Sequence, residues 1–428
     1  MRLGGRLAAA IDVLEDIERR HRPAADALKD WGLSHRFAGS GDRAAVGNIV
    51  YDALRRKRSA GWLLDAETPR ALGFGALALE WGMDAAALDG ALDGDRFAPE
   101  PLTAAERAAL SSRDLADAPP AVRADCPDWC VPLVEEAFGA DWVAELAALA
   151  ARPPLDLRVN TLAATPQKVL AELEDTGAAP AGMLAEAVRI PPIDGGGRHP
   201  NVQAEPAFQK GWFEVQDLGS QIAAALAGAD GSMQVLDYCA GAGGKTLALA
   251  AAMENHGQIF AHDAEKQRLA PIFDRLRRAG ARNVQAIAGE AGLAPLAGRM
   301  DLVLVDAPCT GSGTWRRRPD AKWRLTERQL GVRIGEQAAI LDAAAGHVKP
   351  GGRLVYITCS IFPAENAHQV AAFLERNPAF AAADPRALWR SRFGEGALQP
   401  RICGSGVVLT PATTATDGFF AAVLERRA

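Results

Sequence analysis

The N-terminal part of the chain has apolar positions that recur with the period of a helix. One face of a first predicted helix carries Leu3, Leu7, Ile11, Leu14 and Ile17. A second helix is predicted over residues 42–58, with an apolar face formed by Val46, Ile49, Val50 and Leu54. Residues 68–120 are rich in Ala and Leu, with breaks at Asp, Gly and Pro. We therefore predict an all-helical domain over residues 1–124.

A different pattern covers residues 125–205. Helical stretches over residues 127–151 end at a Pro-Pro pair, and the string LDLRVNTL then alternates apolar and polar residues as a half-buried strand does. A Thr-Pro pair begins another predicted helix, and AVRIPP predicts a second short strand. Residues 194–206 are rich in Gly, Pro and Asn, which is typical of a linker. This region is expected to form a small α+β module.

Residues 206–428 alternate short apolar runs with helical segments. The runs QVLDY, QIFAHD, NVQAI, DLVLVD and GRLVYITCS are separated by predicted helices, which indicates βαβ units and a parallel sheet covered on both faces. The runs GVVLT and GFFAAVL near the C-terminus predict an antiparallel edge hairpin. The predicted fold class is therefore α/β, with ligands expected at the carboxyl ends of the parallel strands.

Composition sets the broad class of protein. A chain of 428 residues with 49% hydrophobic and 23% charged residues is typical of a soluble globular protein of two or three domains. No uncharged apolar run approaches the roughly 18 residues that cross a bilayer, and the N-terminus lacks a signal-peptide pattern. We expect no membrane insertion and a cytoplasmic location, where the six cysteines would be free thiols. Cys126 and Cys130 lack neighbouring ligands for a zinc site, so no metal is expected.

The string CAGAGGKT, at residues 239–246, leaves its ligand open. A phosphate-binding P-loop requires glycine where this chain has Cys239, which counts against a nucleotide-hydrolysing loop. A strand–turn–helix with an acidic residue at the end of the next strand fits better, because Asp263 could accept hydrogen bonds from both hydroxyls of a ribose. This arrangement predicts an adenosine-containing ligand. NAD also fits, although the third spaced glycine of the dinucleotide fingerprint is missing.

Two cysteines follow two different predicted strands. Asp306 and Cys309 lie just after DLVLVD, and Cys359 lies at the end of GRLVYITCS. If both strands belong to one parallel sheet, two thiols and a carboxylate meet at the ligand-binding edge. An isolated cysteine at a strand end is usually a small buried apolar residue. Two of them favour a chemical role.

A basic segment, TWRRRPDAKWRL, stands out in a chain of net charge −6. Cations interleaved with tryptophans are typical of single-stranded RNA binding. The alternative is a solvated loop clamped by its own tryptophans. Arg158 and the run at residues 55–58 would extend the groove, although that run also suits the C-terminal end of a helix. The candidate RNA-binding residues are Arg316, Arg317, Arg318, Lys322, Trp323, Arg324 and Arg158.

Several of these strings occur together in the order found in one known family. DAPCTGSG, YITCS, CAGAGGKT, EVQDLGSQIA, RRRPDAKW and TDGFF resemble the Sun/RsmB group of RNA methyltransferases. The resemblance is specific from about residue 125 onward, and over residues 1–120 it extends only to the helical character of a NusB-like RNA-binding domain. It implies a NusB-like domain over residues 1–124, an RNA-recognition-like module over 125–205 and a class I Rossmann-like methyltransferase domain over 206–428.

The resemblance also implies an activity. Members of the group transfer a methyl group from S-adenosylmethionine to carbon 5 of cytosine in RNA, and the expected substrate is small-subunit ribosomal RNA. By this resemblance Cys359 is the nucleophile that adds to carbon 6, and Cys309 assists product release. Asp306 would hydrogen bond the cytosine edge, and Lys245 would position that carboxylate or the base. DNA cytosine methyltransferases attack with the Pro-Cys cysteine instead, so the TCS motif favours RNA.

Cofactor contacts are implied residue by residue. The turn from Cys239 to Lys245 would wrap the methionine end and the ribose, and Asp263 would hold the ribose hydroxyls. Glu290 stands where the family usually has Asp, and Gly241 and Ala242 replace the more common Ala-Pro. The expected cofactor-binding residues are Cys239, Ala240, Gly241, Ala242, Gly243, Gly244, Lys245, Asp263, Arg268, Glu290 and Asp306.

Three other interpretations stay open at this point. The RNA substrate could be a tRNA or another RNA, the chain could be a P-loop-like NTPase, or it could be a non-catalytic RNA-binding scaffold. Incorporation of labelled methyl groups and Mg²⁺-dependent ATP binding distinguish them. A monomer is expected.

Overall fold

The structure is a computed structural model that describes residues 1–428, and the chain divides into two compact units. The first unit comprises Met1–Pro153, Pro192–His199 and Thr314–Leu325. The second unit comprises Pro154–Pro191, Pro200–Gly313 and Thr326–Ala428. The predicted boundary near residue 124 is not a boundary in this division, and the three-domain organisation stays a prediction.

The N-terminal part of the chain is helical, as predicted. Its helices are α1 Leu3–Arg20, α2 Ala24–Ser34, α3 Ser40–Arg55, α4 Lys57–Leu64, α5 Pro69–Trp81, α6 Ala85–Leu92, α7 Ala104–Ser112, α8 Pro120–Arg123, α9 Val131–Phe138 and α10 Trp142–Ala150. Leu7, Ile49 and Phe74 are among the fully buried side chains of its core. A Cβ atom on Gly75 would lie 2.5 Å from the Ala60 Cβ, so this glycine allows α4 and α5 to pack closely.

The helix predicted over residues 42–58 is two helices, because the chain bends at Arg56 between α3 and α4. The basic run at this bend is paired with carboxylates of the same unit. Arg55 donates to the fully buried Asp52 at 2.9 Å, and Arg56 donates to Glu80 at 2.5 Å. Burial lowers the pKa of the Arg55 guanidinium, and the charge of Asp52 opposes that effect. These pairs show that the run contributes to the packing of the helical unit.

The region expected to be an α+β module, residues 125–205, contains β1 Leu155–Val159, α11 Pro166–Glu172, β2 Ala179–Pro180 and β3 Ala187–Ile190. Two further elements, α12 Pro206–Gln209 and β4 Phe213–Val215, lie after residue 205, in the range predicted for the methyltransferase domain. The four strands form an antiparallel sheet in the order β2-β3-β1-β4. Leu157 and Val159 of β1 face an apolar core, because alternate residues of a strand point to the same side. Asp156 and Arg158 occupy the intervening positions and are buried.

The rest of the chain forms a nine-stranded sheet covered by helices. Its strands are β5 Gln234–Asp237, β6 Gln258–Asp263, β7 Val284–Ala288, β8 Met300–Asp306, β9 Val348–Thr358, β10 Phe380–Ala382, β11 Arg401–Cys403, β12 Gly406–Leu409 and β13 Phe419–Arg426. The main path of the sheet runs β11-β12-β13-β9-β8-β5-β6-β7, and β10 pairs with β13. Its helices are α13 Leu218–Leu226, α14 Gly244–Ala252, α15 Lys266–Leu269, α16 Ile272–Ala279, α18 Glu327–Ala345, α19 Ala367–Arg376, α20 Pro385–Phe393 and α21 Pro411–Thr414. The helix α17 Pro319–Arg324 belongs to the first unit.

The predicted parallel sheet is confirmed. β5 through β9 pair in parallel, while β13 joins β9 in the antiparallel direction. The predicted C-terminal hairpin of β12 and β13 exists, but β13 lies inside the sheet and β11 takes the edge. No single helix is both long and apolar enough to cross a membrane; α5 and α6 pass that test only together, bent by 116°.

The parallel order places four strand ends along one edge of the sheet. β5 is followed by the glycine turn, β6 ends at Asp263, β8 ends at Asp306 and β9 is followed by Cys359. Asp306 is in register with Ile357 of β9. The loops after β8 and β9 are therefore neighbours, and the site begins there.

Candidate active site

The two predicted cysteines meet. The Sγ atoms of Cys309 and Cys359 lie 3.3 Å apart, and both side chains are half-buried. Hydrogen bonding with Cys359 raises the pKa of the Cys309 thiol well above its ordinary value, and burial and the charges of Cys359 and Glu365 add to this rise. These effects disfavour the thiolate form of Cys309.

A lysine–aspartate pair lies at the end of the central strand β8. Lys245 Nζ, in the first turn of α14, donates to Asp306 Oδ2 at 2.6 Å. Lys245 is buried and lies 5.3 Å from the centre of the Phe419 ring, whereas the Asp306 side chain is 34% exposed. The pair joins two elements of the sheet edge and leaves a carboxylate surface accessible.

The glycine turn between β5 and α14 has a fixed backbone. Gly243 has φ +83°, and a Cβ atom there would lie 2.5 Å from Ile272 Cγ1, so only glycine fits. Gly241 has φ +51°, and its N–H donates to Asp263 Oδ2 at 3.0 Å. Arg275 holds the turn by donating to the Ala242 carbonyl oxygen at 2.9 Å. The turn and the end of β6 are thus one connected unit.

These residues fit an adenosine-containing ligand. Asp263 is buried, its Oδ1 accepts from the Glu265 N–H at 2.9 Å, and each of its oxygens keeps a further lone pair. Arg268 lies 3.8 Å from Asp263 Oδ2, and a Cβ atom built on Gly241 would have only these two side chains within 4 Å. A carboxylate beside an open glycine backbone is what a ribose with two hydroxyls requires.

Two further members of the predicted cofactor set have clear electrostatic surroundings. Burial, followed by the charges of Asp237, Asp306 and Asp263, raises the pKa of the Cys239 thiol, which disfavours the thiolate that an attacking cysteine needs. Glu290 is exposed after β7. Its charge adds to the rise in the pKa of Tyr238, after burial and the charge of Cys239.

Sequence reasoning missed Asp237, the last residue of β5. It is buried, and Thr246 Oγ1 donates to its Oδ2 at 2.6 Å. Burial raises the pKa of Asp237 to about 7. Sequence reasoning also missed Glu365, a fully buried carboxylate that contacts both cysteine loops. Asp237 stands inside the quoted string QVLDY, whereas no local pattern distinguishes Glu365.

Close backbone contact supports the Cys359 loop from behind. Gly313 donates its N–H to the Cys359 carbonyl oxygen at 3.0 Å, and Gly418 donates its N–H to the Gly313 carbonyl oxygen at 2.7 Å. A Cβ atom on Gly313 would lie 2.1 Å from the Gly418 oxygen. This close contact explains why Gly313 of DAPCTGSG and Gly418 of TDGFF have no side chain.

The basic segment differs from its prediction. Residues 314–325 belong to the helical unit, where Arg316 and Lys322 are buried. Lys322 Nζ lies 4.6 Å from the Trp323 ring centre, and Trp323 Nε1 donates to the Leu54 carbonyl oxygen at 2.6 Å. Burial lowers the pKa of Lys322 to about 8. A buried ammonium and a buried guanidinium do not reach a phosphate, so their placement argues against the predicted RNA contact of these two residues.

Of the other predicted RNA-binding arginines, one is buried and three keep accessible surface. Arg158 is buried, and its Nε donates to Gln216 Oε1 at 2.7 Å. Burial lowers the pKa of Arg158 to about 10, and this placement argues against a role in a surface groove. Arg318 and Arg324 are exposed and Arg317 is half-buried, so these three keep surface for a phosphate. No group of three or more His, Cys, Asp or Glu side chains is placed to hold a metal ion.

The fold and the site define a Rossmann-like methyltransferase. A solved structure of a methyltransferase homologue from Pyrococcus horikoshii superimposes with a TM-score of 0.59 at 25% identity, over 72% of this chain and 97% of that one. Residues 223–425 match the family model described as 16S rRNA methyltransferase RsmB/F, and residues 126–191 match the ferredoxin-like domain of RsmF/B-like methyltransferases.

Two curated relatives are both named ribosomal RNA small subunit methyltransferase B, one of them with the word probable. Probable ribosomal RNA small subunit methyltransferase B of Synechocystis sp. is 30% identical over 97% of this chain and 98% of its own length. Ribosomal RNA small subunit methyltransferase B of Citrobacter koseri is 34% identical over 59% of this chain, and the match spans only 58% of that relative. The chain belongs to the RsmB/F methyltransferase family, as its motifs predicted.

Proposed function

We propose that this chain transfers a methyl group from S-adenosylmethionine to carbon 5 of a cytosine in small-subunit ribosomal RNA. The observation that carries the proposal is the 3.3 Å spacing of Cys309 and Cys359 Sγ atoms at neighbouring strand ends. The Lys245–Asp306 pair and the glycine turn lie at the same edge of the sheet. A P-loop NTPase would have no use for paired thiols, and Cys239 occupies the place of the required glycine.

The thiols address the main chemical difficulty. Carbon 5 of cytosine is a poor nucleophile, and addition of the Cys359 thiolate to carbon 6 turns the ring into an enamine that can take a methyl group. The carbon 5 proton must then leave, and the carbon–sulfur bond must break to restore the thiolate. Cys309 is the neighbouring group placed to assist this second stage.

Asp306 and Lys245 would bind and orient the cytosine base. The partly exposed Asp306 carboxyl would hydrogen bond the cytosine edge and hold a proton at the ring nitrogen while electrons enter from the thiolate. Lys245 fixes one oxygen of that carboxyl, which leaves the other free to turn toward a base. Much of the rate then comes from holding the ring and the thiolate in line.

S-adenosylmethionine supplies an electrophilic methyl group when it is bound. Asp263 and the Gly241 backbone would hold its ribose, and the turn of residues 239–245 would surround its methionine end. Arg268 would hold the Asp263 carboxylate in place, and Glu290 would lie beside the adenine. Arg317, Arg318 and Arg324 would contact RNA phosphates.

The test is methyl incorporation followed by mapping. Purified chain is incubated with labelled S-adenosylmethionine and with small-subunit rRNA or tRNA, and total RNA from cells with and without the gene is mapped by bisulfite sequencing. We expect label in small-subunit rRNA and one protected cytosine that disappears with the gene. Label in tRNA alone would show that the substrate is tRNA and not small-subunit rRNA. RNA binding without any label would identify a scaffold and contradict the proposed activity.

A further inference from the structure

Glu365 lies directly behind the two cysteine loops. Its side chain is fully buried, its Oε1 accepts from the Thr310 N–H at 2.8 Å, and its Oε2 accepts from the Thr310 hydroxyl at 2.5 Å. The Ser360 hydroxyl also donates to Oε2. Thr310 follows Cys309 and Ser360 follows Cys359 in the chain. One carboxylate therefore connects the residues next to both thiols.

Further contacts fix the carboxylate and the loops to the helices and the sheet. Gln337 Nε2, in α18, donates to Glu365 Oε1 at 3.0 Å and to the Pro308 carbonyl oxygen at 2.9 Å. Tyr356 donates its hydroxyl to the Glu365 carbonyl oxygen at 2.7 Å. The Glu365 carboxylate thus receives four hydrogen bonds, which satisfies a buried charge that would otherwise be very costly.

A network that served packing alone would not need this charge. Buried ionised groups are often replaced by neutral or apolar groups with no loss of stability. A carboxylate here places a negative charge against Thr310 and Ser360, the residues that follow the two cysteines. That charge, after the hydrogen bond with Cys359 and burial, helps to raise the pKa of Cys309. The titratable groups that act on Cys309 are Cys359 and Glu365, and burial, followed by the charges of Cys309 and Glu365, raises the pKa of the Tyr356 phenol.

We propose that Glu365 is a positioning residue that sets the spacing of the two thiols and assigns the proton to Cys309, leaving Cys359 as the attacking group. This role rests on the covalent chemistry proposed above. Glu365 does not touch the substrate, and it acts through Thr310 and Ser360 and through its charge.

The first experiment measures alkylation of each cysteine against pH in the full-length protein without RNA or cofactor. Iodoacetamide labelling is quantified by mass spectrometry in Glu365→Gln, in the charge-retaining Glu365→Asp and in Glu336→Gln, an exposed matched control on α18. In Glu365→Gln we expect Cys309 to react about threefold faster in the rising part of the profile, a shift of about half a pH unit. Glu365→Asp should restore the parent profile. An unchanged Cys309 profile in a folded Glu365→Gln protein would overturn the assignment.

A second variant covers the case in which Glu365→Gln does not fold. Thr310→Val removes one hydroxyl link and leaves the carboxylate charge. Bridging of the two cysteines by a short dithiol-reactive reagent should then slow, while the pH profile of Cys309 keeps its position. Equal bridging rates in Thr310→Val and the parent would contradict the spacing role. Both assays need no methyl transfer, so a failure of the proposed activity is recognised separately, by the labelling of RNA.

In the methyl-transfer assay, Glu365→Gln should lower kcat and leave the KM for RNA unchanged. If Glu365→Gln lowers thermal stability and reduces methyl transfer by the same factor at every pH, Glu365 would serve packing alone.

Discussion

Two buried lysines in this molecule have similar surroundings and different consequences. Lys245 lies 5.3 Å from the Phe419 ring centre and donates to Asp306. Lys322 lies 4.6 Å from the Trp323 ring centre, and the charge of Asp125 partly opposes the effect of its burial. Both side chains are more than nine-tenths buried. The difference lies in the carboxylate that each lysine faces.

Asp306 ends a parallel strand and is one-third exposed, so the Lys245–Asp306 pair opens onto the edge where ligands bind. Asp125 is fully buried and accepts from the N–H groups of Arg58 and Ser59, each at 2.9 Å. Lys322 is therefore enclosed within its own unit. Of these two lysines, only Lys245 faces a carboxylate that reaches the surface, and the proposed site contains that pair.

The sharpest test of this contrast exchanges each lysine for methionine. Lys245→Met should reduce methyl transfer by about a hundredfold or more, because it removes a preorganised charge next to the reacting base. Its stability should change by less than about 1 kcal/mol, since solvent reaches Asp306. Lys322→Met should leave the rate unchanged and alter stability. Steady-state kinetics with labelled S-adenosylmethionine and denaturant unfolding measure both. Equal losses of methyl-transfer rate in the two variants would contradict the proposed difference between Lys245 and Lys322.

A second test uses the pH dependence of stability. Burial lowers the pKa of Lys322 from 10.5 to about 8. Between those values the unfolded chain binds a proton that the folded chain does not, so stability should rise with pH by on the order of 3 kcal/mol. Hydrogen bonding with Cys130 lowers the pKa of Cys126, and this acts in the same direction.

Lys322→Met should therefore flatten most of that rise in denaturant midpoints measured from pH 7.5 to 10.5. Lys245→Met is the matched control and should keep the slope of the parent protein. A full slope in Lys322→Met would mean that another group titrates in this window.

The smallest expected effect concerns the exposed part of the basic segment. Arg318→Gln should weaken RNA binding a few-fold and reduce the slope of log affinity against log salt by about 1, because one phosphate contact is lost. Lys322→Met should leave that slope unchanged. Filter binding at several salt concentrations measures both. A slope that falls in Lys322→Met would show that Lys322 reaches RNA after all.

The sheet and its reactive edge could be predicted because they depend on local patterns. Parallel strands are buried on both faces and show as apolar runs, and the residues after them must meet at one edge. Cys309, Cys359 and Asp263 were found in this way. The motif order also identified the family correctly.

Burial of Arg316 and Lys322 in the basic segment could not be predicted, because its string of cations looks the same on a surface and inside a unit. Its placement depends on Asp125 and Leu54, which are far away in the chain. Glu365 was missed for a similar reason, since its four hydrogen-bond donors come from three separate elements. The individual roles of the predicted site residues stay predictions.

The most direct measurement looks for a covalent bond between the protein and RNA. Cys309→Ala and Cys359→Ala proteins are incubated with S-adenosylmethionine and a small-subunit rRNA fragment, trimmed with nuclease and analysed by mass spectrometry. We predict a methylated cytosine nucleotide bound to Cys359 in Cys309→Ala, and neither adduct nor methyl transfer in Cys359→Ala. Wild-type transfer by Cys359→Ala, or an adduct on Cys309, would contradict the assignment of the two thiols.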